Sequence, residues 1–167
     1  MSSPIAMVSS GDEARKQGDD KSGMKPRVPY WHLWRDDHGV SHQTHCLLTS
    51  FELKGVGGAD PQWNNRHANH PSTVVVTVQP VGWVGDWHEN PAPQWIIVLS
   101  GRWWIESMDG TRIEQGPGEL SFGEDQDCKS SSEGRKGHRA GTIGDQPAVL
   151  MTVQLHIDPR RAPCHII

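Results

Sequence analysis

The segment Val81-Gly82-Trp83-Val84-Gly85-Asp86-Trp87-His88-Glu89-Asn90-Pro91-Ala92-Pro93-Gln94 gathers groups able to hold a cation or move a proton. Along an extended chain, successive side chains point to opposite faces. Asp86, His88 and Asn90 therefore share one face, and Trp87 and Glu89 the other. Six residues beyond His88, Gln94 opens an apolar run after a turn bracketed by Pro91 and Pro93, and a hairpin of that length sets Gln94 beside His88. One imidazole and one amide oxygen are half of a metal site. A distant residue must complete it, and His138 is the best candidate. Each has a plainer reading. Asp86 is either a base that moves a proton or the cap of a turn after Gly85, Gln94 either a ligand or a buried amide satisfying the backbone, and His138 either a ligand or a solvated loop histidine.

The elements that must position these residues read as strands. Thr73 to Val78 is a β-branched run between Pro71 and Pro80, and Ser72 to Gln79 is expected to be a strand. Further strands are expected over Gln43 to Leu53, Gln94 to Ser100, Arg102 to Glu106, Thr111 to Glu114, Glu119 to Gly123 and Ala148 to His156, with Asp109-Gly110 as a hairpin turn. No stretch of helical length carries a helical period. About nine short strands separated by frequent turns imply a β-sandwich or barrel. Two segments break the rhythm: a long loop from Gly55 to Pro71 holding Trp63, His67 and His70, and a polar stretch from Glu124 to Gly137 expected to be solvated and mobile, or else a lid over the barrel mouth. Residues 1–25 are rich in Ser, Gly, Asp and Lys and read as a disordered tail ahead of a single domain over 26–167.

The spacing resembles that of the cupins. Their first motif runs Gly, five residues, His, one residue, His, three or four residues, Glu, six residues, Gly. Gly82, His88, Asn90, Gln94 and Gly101 fall on this spacing, with Asn90 in place of the second His and Gln94 in place of the Glu. The second motif is looser: Gly118 begins it, Glu124 replaces its Pro, Thr142 replaces its Asn, and His138 arrives after a nine-residue insertion. The resemblance covers about residues 72 to 156. It implies an all-β, double-stranded β-helix (a jelly-roll barrel) with a divalent metal, Fe, Mn, Zn or Ni, in one mouth. His88, Gln94 and His138 are then the ligands, with Asn90 a weak fourth ligand or a contact to bound substrate. Such a ligand set is neutral, so the cation keeps its charge and acts as a Lewis acid on a substrate oxygen. The resemblance thus points to an enzyme acting on a small oxygenated molecule by lyase or isomerase chemistry, with Asp86 or a neighbour moving the proton. The alternatives are an Fe(II)-dependent dioxygenase and a barrel that binds a small molecule without catalysis.

Composition narrows the field further. Eight Trp against two Phe and one Tyr are expected mainly in the core. Trp103 and Trp104 are adjacent in a strand, so one should point outward, which together with the family's habit leads to an expected homodimer. The formal charge of −4 and the lack of any dense basic run argue against nucleic acid, and no apolar stretch is long enough for a membrane helix. Cys46, Cys128 and Cys164 are odd in number and far apart, which leads to an expectation of free thiols and a cytoplasmic protein. The histidines outside the motif are expected to be mostly solvated.

Overall fold

The computed structural model describes residues 24–55, 57–67 and 70–165. Apart from Met24 and Lys25, the expected N-terminal tail lies outside the described residues.

Eleven strands and no helix make up the described chain: β1 (Val28–Arg35), β2 (Ser41–Leu48), β3 (Glu52–Lys54), β4 (Gln62–Asn64), β5 (Ser72–Gln79), β6 (Gln94–Ser100), β7 (Arg102–Ser107), β8 (Arg112–Gln115), β9 (Leu120–Glu124), β10 (His138–Ile143) and β11 (Ala148–Leu155). They form a six-stranded sheet in the order β2-β1-β9-β6-β11-β5, a three-stranded sheet β10-β7-β8 and a small β3-β4 pair. Every pairing is antiparallel except β1 with β9. This two-sheet arrangement is the expected all-β jelly-roll architecture. The β-branched run of β5 and the Asp109-Gly110 turn between β7 and β8 stand where the residue pattern places them.

Strand alternation builds two apolar layers. Ile96 and Val98 of β6, Trp103 and Ile105 of β7, Ala140 of β10 and Leu150 of β11 meet between the two large sheets. On the other face of the six-stranded sheet, Phe122 of β9 packs with Tyr30, Cys46 and Leu155, and Trp95 lies against this group. Burying these side chains is the main favourable term holding the sheets together.

Several expectations are corrected here. Trp103 and Trp104 are both buried. Trp104 does face away from the first core, but the guanidinium groups of Arg112 and Arg139 cover its ring, at 4.0 and 5.8 Å from its centroid. A cation over an indole face shields it from water as an apolar neighbour would. Neither tryptophan therefore offers the exposed apolar face behind the expected homodimer, and the exposed apolar side chains include Val74, Val76 and Val78 of β5. Cys46 and Cys164 are not free thiols. They form a disulfide across 118 residues of sequence, with Cα atoms 5.4 Å apart. Cys128, expected in an exposed loop, is a buried thiol. Burial, with Asp125 beside it, pushes its pKa up to about 12, which leaves it unreactive as a nucleophile. His32, expected in solvent, is fully buried. Among the described residues, no helix is long and apolar enough to cross a membrane.

Candidate functional site

A cavity of about 190 Å³ opens between the two large sheets. β5, β6 and β11 supply one wall through Val75, Thr77, Gln94, Thr152 and Gln154, and Trp103 and Ala140 face them from β7 and β10. His88, Asn90 and Pro91 close one end together with His138.

Backbone pairing sets the two histidines side by side. His88 and His138 form an isolated antiparallel bridge in which each main-chain N–H donates to the other's carbonyl at 2.8 Å. Their rings follow, with centroids 4.4 Å apart. Gly137 permits this approach. Its φ is +77°, and a Cβ at this position would collide with the His88 carbonyl group.

Hydrogen bonding then fixes the proton on each ring. His88 Nδ1 lies 2.8 Å from the carbonyl oxygen of Asp86. A carbonyl can only accept, so Nδ1 carries the proton and Nε2 keeps its lone pair. His138 Nδ1 lies 2.7 Å from Asp125 Oδ2, with the same consequence. Neither Nε2 makes a hydrogen bond to protein among the described residues. Asp125 is completely buried. Burial opposes its charge, but the charge of His138 in its protonated form and hydrogen bonds from His138 and Asn90 outweigh it and hold the carboxyl below its ordinary pKa.

The amides beside these rings form a directed chain. Asn90 donates to Asp125 Oδ1 through its main-chain N at 3.0 Å and through Nδ2 at 2.7 Å. Gln94 Nε2 donates to Asn90 Oδ1 at 2.6 Å, and Gln154 Nε2 donates to Gln94 Oε1 at 3.1 Å.

The structure thus brings His88, Asn90, Gln94 and the candidate His138 to one end of one cavity. It does not bring Asp86 there. That side chain is exposed and absent from the cavity wall, and Asp86 contributes its carbonyl oxygen instead, behind His88. Asn90 is a node of the hydrogen-bond chain, with both ends of its amide engaged. The polar stretch after β9 is corrected as well: Glu124 and Asp125 are buried rather than solvated. Residue spacing missed Asp125 and Gln154. Asp125 is hidden in an acidic run that looks like any solvated loop. Gln154 shares a strand face with Leu150 and Thr152, so the period-2 rule applied to β11 could have found it.

The donors present suit a divalent cation in part. Two imidazole Nε2 atoms have each Nδ1–H held by an oxygen behind it, the support that metal-bound histidines ordinarily have. Gln94 Oε1 accepts one hydrogen bond and retains a second lone pair. No cluster of three His, Cys, Asp or Glu side chains able to hold a metal occurs among the described residues.

The two facing sheets, with motif residues 82–101 running into β6 and His138 opening β10 opposite His88, decide the fold type. This is a cupin-like barrel. No protein-family model matches the chain, and no curated protein is significantly similar to it. Among solved structures, the cupin-like barrel is similar to the crystal structure of protein NMB1881 from Neisseria meningitidis, at 14% identity and a TM-score of 0.38, over 64% of this chain and 82% of that one. It is also similar to the cupin domain of Schizosaccharomyces pombe Cnp3, at 9% identity and a TM-score of 0.36, over 80% of this chain and 87% of that one.

Proposed function

We propose that the cavity holds a divalent metal ion on His88 Nε2 and His138 Nε2, with Gln94 Oε1 as the third protein donor, and acts on a small, uncharged, oxygen-bearing molecule by lyase or isomerase chemistry. The observation that carries this reading is the pair of imidazoles, 4.4 Å apart, each pinned at Nδ1 by an oxygen. In their neutral form, two rings held in this way present two lone pairs and no proton to the same end of the cavity. A bound cation there supplies Lewis-acid polarisation of a substrate oxygen.

The rest of the wall supports the choice of substrate. Among the described residues, no Asp, Glu, Lys or Arg lines the cavity. Thr77, Thr152, Gln79 and Gln154 offer neutral donors and acceptors that orient a hydroxyl or carbonyl, while Trp103, Ile96 and Leu150 exclude water. The volume falls below the roughly 300 Å³ where pockets for drug-sized ligands begin, which favours a small molecule.

A second reading, a barrel that binds its ligand without metal or catalysis, is favoured by the hydrogen bonds that already engage Gln94 and Asn90. Elemental analysis of protein purified without added metal, then again after reconstitution, separates the two. Close to one ion per chain in the wild type, lost in His88→Ala with the barrel still folded, is the expected result. His88 is exposed at the cavity mouth, so its removal should spare the core. Metal far below one per chain in both preparations leaves the binding reading, and oxygen uptake by the iron form with a phenolic substrate favours a dioxygenase over a lyase. We also propose that the exposed valines of β5, an edge strand, meet a second copy of the chain. Sedimentation of a clean monomer would remove that proposal.

A further inference from the structure

We propose that Asp125 is the positioning residue of the cavity: it decides which nitrogen of His138 carries the proton and which way the amides of Asn90, Gln94 and Gln154 are turned. The proposal deepens the reading of His88 and His138 as cation-binding side chains, and rests on it for its consequence though not for its geometry.

The argument is one of donors and acceptors. Asp125 is wholly withdrawn from solvent, and an ionised carboxylate only accepts hydrogen bonds. Its Oδ1 meets the main-chain N–H and the side-chain Nδ2 of Asn90, and its Oδ2 meets His138 Nδ1. Asn90 must therefore turn its amino group to Asp125 and its oxygen to Gln94. Gln94 must then present Nε2 to Asn90 and its oxygen to Gln154. Reversing any one of these amides would set donor against donor or acceptor against acceptor. A single buried charge thus orders three amides drawn from β6, β11 and the segment before β6, and it leaves His138 with a lone pair at Nε2.

The same logic gives Asp125→Asn an unusual effect. The variant keeps the shape of the side chain. The main-chain N–H of Asn90 is a donor that no rotation can alter, so the new oxygen must stay beside it. The new amino group then faces His138 Nδ1, which has to accept. The ring proton moves to Nε2, and the atom that should meet a cation loses its lone pair. Asn90, Gln94 and Gln154 keep their orientation, because Oδ1 still accepts from Asn90.

The test uses the full chain, free of metal and labelled with 15N at histidine, at a pH where the rings are neutral. Comparison with His138→Gln assigns the His138 signals in long-range 1H–15N spectra. The wild type is expected to show the proton on Nδ1 of His138, and Asp125→Asn to show it on Nε2. Calorimetric titration with Zn2+ should give an affinity about 10–100-fold weaker in the variant, the usual effect of losing such a supporting group. A wild-type His138 protonated on Nε2, or an unchanged tautomer in folded Asp125→Asn, would overturn the proposal. The wild-type spectrum decides the matter if the variant does not fold. Absence of Zn2+ binding in the wild type would instead overturn the reading of the cavity as a cation site, leaving the tautomer result to judge Asp125 by itself.

Discussion

His32 Nε2 lies 2.8 Å from Glu124 Oε1, with both side chains withdrawn from solvent. The approach is close but off the ring's N–H axis, so it is a polar contact rather than a well-directed hydrogen bond. His32 Nδ1 accepts from the main-chain N–H of Cys164 at 3.0 Å, and Glu124 Oε2 accepts from that of Arg160 at 2.9 Å. The pair therefore ties β1 and β9 to the last described segment of the chain, beside the disulfide at Cys164. Glu124 is also the direct neighbour of Asp125, so one strand end carries two buried acids with different duties.

Removing one partner of such a pair strands the other. His32→Leu leaves the Glu124 carboxylate buried beside an apolar group, and a loss of about 1–3 kcal/mol is expected in urea unfolding. The double variant His32→Leu, Glu124→Leu should recover part of that loss, because no charge is then left alone. A single-variant loss below about 0.5 kcal/mol, the size of an ordinary surface change, would mean that the contact contributes nothing.

A second histidine makes stability depend on pH. His42 lies between two carboxylates, with Nδ1 2.9 Å from Asp109 and Nε2 3.0 Å from Asp36. Burial opposes its charge, but the hydrogen bonds and charges of Asp36 and Asp109 outweigh this and raise its pKa. Against the opposition of burial, hydrogen bonds that include those from His42 hold both carboxyls below their ordinary values. A raised pKa means that the His42 contribution is complete below the unfolded value near 6.5 and fades as pH rises through the folded value. The lowered acids contribute above an unfolded value of about 3.9 and lose their effect as pH falls. Stability from this triad should thus be greatest between about pH 4 and 6.5 and decline on the alkaline side. Denaturation of wild type and His42→Gln across that range checks it: the variant should lack the alkaline decline, and parallel curves would refute the assignment.

Gly137 is expected to be essential to the site without taking part in its chemistry. Gly137→Ala requires a left-handed backbone that alanine resists and places a methyl group against the His88 carbonyl. The variant should lose more than about 1 kcal/mol of stability and separate the two rings, so that Zn2+ binding weakens even though neither ring is altered. Gly134, also at positive φ but with open space around it, is the control: Gly134→Ala should leave Zn2+ binding unchanged.

Much of the fold was legible because strands announce themselves locally. The β-branched run of β5 and the apolar run of β6 lie where the residues put them, since alternation and turn chemistry act over a few residues. β10 was not legible. His138 to Ile143 has a weak pattern, and only its partner β7 makes it a strand, with Ala140 opposite Ile105 and Gly141 opposite Trp104.

By itself, the sequence determined the all-β class and the nearness of His88, Asn90 and Gln94, because a hairpin turn and a motif spacing fix those neighbours within a short stretch, while His138 was only a candidate that the pairing of distant segments brought to them. Only the tertiary structure decided what each group does there. The burial of Asp125, the engagement of Gln94 by Gln154, the outward turn of Asp86 and the closure of Cys46 onto Cys164 join residues from 13 to 118 positions apart, or turn on which way a strand faces. Hydrogen-bond direction and desolvation belong to the packed arrangement as a whole, and no local window of residues contains them.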